Sequence, residues 1–193
     1  MLRRILLLAM VIGSAASISR SAAISREAAS VDRKLDLIEK GRLRAGSRVD
    51  FASGELNVWL REQARRYFPG AVSNVRVDLG NNSATGYADV DFVKLRQAAT
   101  GESAGWLMRN LFSGERSMVV QAHFVSTRGG ARVDVDSVRI SGVPIEGRAL
   151  DFLIRNYVRP TFPELKLSEW FRLAARVDRV ATTPAGATAF IGR

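Results

Sequence analysis

Apolar and polar residues change period several times along this chain, and each change marks an element. Ile24, Ala28, Val31, Leu35 and Ile38 recur at alternating spacings of four and three, which aligns them on one stripe of a helix ending near Gly41. Such a stripe suits a helix docked on its own domain or a mobile N-terminal arm, and alternatively a helix that binds a partner; it is too short to define a coiled coil. A brief strand is expected around Arg48 to Phe51. Then SGELNVWLREQARRYFPG forms a second helix. Ser53 is placed to accept a hydrogen bond from an open backbone N–H, Glu55 sits in the favourable first turn, and Pro69-Gly70 ends the run. Leu56, Trp59, Leu60, Ala64 and Tyr67 gather on one side of it, with Asn57, Arg61 and Arg65 opposite.

From Val72 the period becomes two. Val75, Val77 and Leu79 alternate with Asn74, Arg76 and Asp78, the stretch GNNS reverses the chain, and Ala84, Gly86, Ala88, Val90 and Phe92 alternate with Thr85, Tyr87, Asp89 and Asp91. The small residues at 84, 86 and 88 leave room beneath the sheet, for a closely packed helix or for a guest molecule. Between Lys94 and Phe112 the pattern turns helical, with Ala104, Leu107, Met108 and Leu111 in phase, Trp106 beside them, and Gly101 and Gly105 weakening the first half. A second hairpin follows, in which Met118, Val120, Ala122 and Phe124 share a face and Gly129-Gly130 makes the turn. On its return strand the apolar phase moves from Val133 and Val135 to Val138 and Ile140. A slip of one residue predicts a bulge near Asp136-Ser137, and a bulge bends its strand.

The stretch SVRISGVPIEGRALDFLIRNY leads from strand into a helix, Gly147 to about Arg159, that Pro160 and Pro163 terminate. Ala149, Leu150, Leu153, Ile154, Tyr157 and Val158 cover about half of its circumference. Arg148, Asp151, Arg155 and Arg159 crowd a narrow arc. That arc reads either as a solvated face in which Asp151 bridges its arginines or as a contact for anionic headgroups. After FPELKLSEWFRL, an irregular or edge segment, a last hairpin spans Ala175 to Ile191 around Thr-Pro-Ala-Gly. The fold class is therefore α+β, a curved and mostly antiparallel sheet of roughly six or seven strands wrapped against three or four helices.

A chain of 193 residues suits one core. The opening MLRRILLLAMVIGSAAS pairs Arg3 and Arg4 with an apolar run from Ile5 to Ile12 and then small residues, the pattern of a cleavable export signal over residues 1–23. The run is shorter than the roughly 20 apolar residues that span a bilayer, so an anchor is the weaker reading. Residues 24–47 then form the N-terminal helix and linker, and 48–193 a single α+β domain. The formal charge of +10 falls to +7 when Arg3, Arg4 and Arg20 leave with the signal. An exported basic protein meets anionic lipid or acidic envelope polymers, in the periplasm or outside the cell. There is no cysteine, so disulfides, thiolate chemistry and a thiol-linked lipid anchor are excluded.

Catalytic signatures are sparse. His123 stands alone as histidine, no activated serine flanks it, and without cysteine the usual zinc sets cannot be built. Asp89 with Asp91 and Asp134 with Asp136 each lie two apart on a strand and share a face. Converging, they would hold a hard cation or divide acid and base roles in a hydrolase; apart, they are ordinary solvated strand positions. The aromatics follow the apolar faces rather than the arginines, which argues against nucleic acid as a partner. No cofactor or resident metal is expected, and oligomeric state is not written in the pattern.

The order of these features, a helix opening S-G-E-L-N-V-W-L, a hairpin ending Y-A-D-V-D-F, Leu-Phe-Ser-Gly before a new strand, V-R-I-S-G-V-P-I running into an apolar helix and a final hairpin, resembles small bacterial exported proteins of the tubular lipid-binding superfamily. That superfamily is similar to the bactericidal/permeability-increasing fold, and the resemblance implies a curved antiparallel sheet around a helix, with an apolar space for acyl chains. It implies a non-enzymatic protein that binds a lipid or other apolar small molecule between sheet and helices. Leu56, Trp59, Leu60, Ala84, Gly86, Ala88, Trp106, Leu107, Leu150, Leu153 and Ile154 are the expected lining, with Arg148, Arg155 and Arg159 toward an anionic membrane surface. The rival expectations are an envelope scaffold or assembly factor with a solid core, and a hydrolase using the four aspartates.

Overall fold

A computed structural model of the chain describes residues 25–100, 114–158, 167–173 and 176–192. The first helix, α1 (Arg26–Glu39), starts at Ser25, whose hydroxyl accepts the Ala28 N–H at 3.3 Å. Fourteen residues make a marginal helix alone. Its stripe of Ala28, Val31, Leu35 and Ile38 is buried against α2 (Ser53–Tyr67), and burying a Val, Leu or Ile contributes about 1.5–3 kcal/mol each, so packing holds it. Polar contacts fix the pairing. The Trp59 indole N–H donates to Asp32 at 3.1 Å, the Ser25 N–H to Glu62 at 3.1 Å, and the Lys34 ammonium meets Glu55. Of the alternatives for this stripe, docking on its own domain is the one observed; Ile24 lies outside the described residues.

Two sheets follow. The larger contains β2 (Val72–Gly80), β3 (Ser83–Asp91), β4 (Glu115–Thr127) and β5 (Gly130–Ile140) as antiparallel neighbours. The far edge of β5 is taken at one end by β6 (Val143–Pro144) and at the other by β7 (Phe171–Arg172). In the smaller sheet β9 (Gly186–Ile191) lies between β1 (Arg48–Ala52) and β8 (Val177–Thr183). With β6 and β7 the larger sheet has six strands, in line with the antiparallel sheet expected from the pattern, although two-residue strands such as these leave no periodicity to read.

The predicted bulge is present. Gln121 pairs with Ser137 and Ala122 with Val135, which leaves Asp136 as the extra residue and carries the apolar phase from one face position to the next. A second irregularity, between Ser73 and Arg76 on β2, has Asn74 at φ 51°. Irregularities of this kind bend a strand and increase its twist.

The helices cover an edge as well as a face. Asn57, on the supposedly wet side of α2, donates to the Val77 carbonyl at 2.9 Å and accepts the Val77 N–H at 2.7 Å. Its amide thus occupies both outward backbone groups of one residue on an edge strand, where open groups otherwise invite pairing with another chain. At the start of α2 the capping role expected of Ser53 passes to Glu55, whose carboxylate accepts the Ala52 N–H at 3.0 Å. Helix α3 (Phe92–Thr100) begins earlier than its periodicity predicts, because buried Asp91 accepts the N–H groups of Val93 and Lys94, both at 3.1 Å. The apolar helix after β6 is short: α4 (Gly147–Leu153) passes into a π-helical turn, Ile154–Val158. Among the described residues no helix is long and apolar enough to cross a membrane.

Candidate functional site

The smaller sheet closes over one end of the larger one. The Ser126 hydroxyl accepts the Val180 N–H at 2.8 Å and donates to the Val180 carbonyl at 2.5 Å. Thr182 donates to the Gly80 carbonyl at 2.7 Å, and the Asn82 N–H reaches the Thr182 carbonyl at 3.2 Å. Strand β8 is therefore bonded across the hairpin ends of β2–β3 and β4–β5. Between the two sheets, under this junction, lies a partly open cavity of about 150 Å³.

Every wall follows from strand alternation. Val120, Ala122, Phe124 and Ser126 come from alternate positions of β4, and Ala131, Val133 and Val135 from alternate positions of β5 before the bulge. Val77 and Leu79 of β2, Ala84 of β3, Phe51 of β1, Val180 and Thr182 of β8, and Ala187 and Ala189 of β9 close the sides. Leu56 and Leu60 of α2 and Leu167, Phe171 and Leu173 complete the lining. Ser126 and Thr182 are the polar side chains in this lining, and both hydroxyls are engaged with backbone as described. The surface offered to a guest is hydrocarbon. The room itself comes from alanines: Ala84 of β3 pairs with Ala122 of β4, so two methyl side chains stand side by side on neighbouring strands.

The residues expected to line such a space divide into three groups. Leu56, Leu60 and Ala84 face the cavity. Trp59, Gly86 and Ala88 are buried elsewhere: Trp59 turns toward α1 and Ala88 joins the common core. Leu150, Leu153 and Ile154 sit on or just after α4, away from the lining, with Leu153 packed in the core and Arg148 and Arg155 exposed. Asp151 forms no ion pair with Arg148 or Arg155 among the described residues. Trp106, Leu107 and Arg159 lie outside the described residues. The inner face of β4 and β5, which supplies much of the wall, carried a legible signal in its alternation of Val, Ala and Phe, but alternation alone does not separate a filled face from a vacant one.

The aspartates take separate roles. Asp91 caps α3, and Asp89 accepts the Asn74 amide at 2.7 Å. Asp134 and Asp136 flank His123 on the outer face, at 3.5 Å and 2.6 Å. Asp89 pairs with Ser117 and Asp134 with His123, six residues further along β4, which is about 20 Å of strand. The four carboxylates do not converge, and among the described residues no group of three or more His, Asp or Glu side chains could hold a metal ion. The Arg132 guanidinium, donating to Asp134 at 2.9 and 3.1 Å, holds that carboxyl below its ordinary value of 3.8, with Ser168 and His123 adding in the same direction. A lowered native pKa means that the stabilisation is complete above the ordinary value and is lost as pH falls through the lowered one. Arg132→Leu is expected to raise the Asp134 titration toward 3.8, read by carboxyl NMR, with no change near neutral pH in the ionisation of the group.

Comparison of the chain with protein-family models, with curated proteins and with solved structures found no match in any of the three.

Proposed function

We propose that this protein is an exported cell-envelope component that shelters part of a lipid, or another apolar ligand, between its two sheets. The observation that carries the reading is the cavity of about 150 Å³ in whose lining, among the described residues, the hydroxyls of Ser126 and Thr182 are both engaged with backbone. A dry apolar cavity of roughly this size holds a molecule as large as benzene. Six methylenes buried there contribute about 5 kcal/mol, short of the roughly 8 kcal/mol of a micromolar complex. A ligand held tightly must therefore continue through the opening, as an acyl chain does. The N-terminal export pattern, the basic charge and the resemblance to the tubular lipid-binding superfamily support the same reading. Dispersal of the aspartates favours a binding protein over a hydrolase.

Native mass spectrometry of the protein purified from its membrane-containing source is expected to show lipid at fixed stoichiometry. Ala122→Leu separates a hollow from a solid interior, because a larger side chain in a filled core costs about 1–3 kcal/mol, whereas one that fills a void stabilises by about 0.5–2 kcal/mol. The expected result is a raised melting temperature together with at least tenfold weaker uptake of N-phenyl-1-naphthylamine. A wild-type protein that carries no lipid and takes up no probe, with Ala122→Leu destabilised, would overturn the proposal and leave the scaffold reading.

A further inference from the structure

Residues 167–173 run along the outer edge of β5 as a strap. The Ser168 N–H donates to the Val133 carbonyl at 2.9 Å, Phe171 and Arg172 pair with Ala131 and Gly130, and the Leu173 N–H donates to Gly129 at 2.8 Å. Side-chain alternation turns Phe171 and Leu173 into the cavity and leaves Trp170 and Arg172 outside. Trp170 is 55 % exposed. Its ring reaches over Gly130, where an added Cβ would stand 3.4 Å from the ring carbon Cε3, and more than half of the residue meets water. Removing the rest of so large an apolar ring from water is favourable.

The charge around this ring indicates what covers it. The Gly129 N–H donates to the Asp178 carbonyl at 2.8 Å, which brings the start of β8 against the same turn. The turn, the strap and the β8 start carry exposed Arg128, Arg172, Arg176 and Arg179 against the carboxylates of Glu169 and Asp178. Tryptophan is the side chain best suited to the boundary between headgroups and hydrocarbon, and each basic residue held near an anionic lipid surface adds attraction.

We propose that this edge docks on a bilayer containing anionic lipids, with Trp170 entering the interface and Arg128 and Arg172 meeting headgroups. The proposal does not depend on what occupies the cavity, although it would set Phe171, on the inner side of the same strap, next to the lipid surface. The test is cosedimentation of the full chain with phosphatidylcholine vesicles, with and without phosphatidylglycerol. Binding is expected only with phosphatidylglycerol, weakened about fivefold by each of Arg128→Gln and Arg172→Gln, weakened at least as much by Trp170→Ala, and unchanged by Arg148→Gln with Arg155→Gln. These positions are exposed, and uptake of N-phenyl-1-naphthylamine by the variants should match the wild type, which keeps failure here separate from failure of the cavity. A wild-type protein that ignores both vesicles, binds both equally, or binds as well without Trp170 overturns the proposal. So does a self-association that Trp170→Ala abolishes in the absence of vesicles, which would assign the patch to a second copy of the chain.

Discussion

Trp59→Ala is expected to lose about 4 kcal/mol of stability, from the range of roughly 3–5 kcal/mol for removing a buried aromatic ring. The side chain is fully buried, and its N–H reaches across to Asp32 on α1. Truncation removes the ring from the junction of the two helices and deletes a polar tie between them. For a domain of this size the melting temperature should fall by roughly 10 °C, read by circular dichroism. The defect is local. Hydrogen exchange should quicken first along α1, whose buried stripe has α2 as its main partner. Trp59 does not line the cavity, so probe uptake below the melting transition should stay within about twofold of wild type. Destabilisation under 1 kcal/mol, or equal loss of protection in α1 and β4, would contradict this account of the core.

That Trp59 and Leu60 part company is instructive about what the sequence discloses. A helical wheel places both on one apolar side, but the side is broad enough to meet two partners: α1 takes Trp59, and the cavity takes Leu56 and Leu60. Periodicity identifies a buried face and is silent on which neighbour buries it. The same limit applies to α4. Its wide apolar arc reads as a tunnel wall, yet only Leu153 among its described residues is buried, and none of them lines the cavity. What could be read were features with a local cause. The hairpins follow from their turns, and the bulge at Asp136 follows from a phase change that no regular strand allows. What could not be read depends on pairing across long separations, such as Ser126 with Val180 or Asn57 with Val77. Asn57 shows why: its polarity belongs equally to a solvated helix face and to a substitute strand, and only the position of β2 decides.

The vacancy has a compositional origin that becomes visible once register is known. Alanines scattered through four strands, at 84, 122, 131, 187 and 189, converge on one space. None is unusual in its own strand. Together they withdraw side-chain volume from the place where the two sheets face each other, and face-to-face sheets about 10 Å apart need larger residues to fill the gap. A solid-core protein of the same topology would carry Val, Leu or Ile at several of them.

Gly186→Ala is expected to be the most damaging single substitution in the smaller sheet, because the added Cβ would stand 2.0 Å from the Phe51 carbonyl oxygen and 3.2 Å from the Ala52 Cα. Both are backbone atoms of β1, so no rotamer relieves the overlap; the strands must separate. Gly186 pairs with Ala52 at the end of the β1–β9 ladder, and the adjacent Ala185 carbonyl accepts the Ser53 N–H at 3.0 Å, which seats the hairpin tip on the start of α2. Overpacking of this kind costs about 3 kcal/mol at least when backbone has to move. Separation also displaces Phe51 and Ala187 from the cavity wall, so probe uptake should fall together with stability, unlike in Trp59→Ala. Gly54→Ala supplies the opposite sign a few residues away. Nothing lies within 4 Å of a Cβ at that first-turn helical position, and the substitution should stabilise by about 0.4–1 kcal/mol through the unfolded chain. If chemical denaturation showed the two glycine variants equally stable, the close approach of β9 to β1, and with it this wall of the cavity, would have to be abandoned.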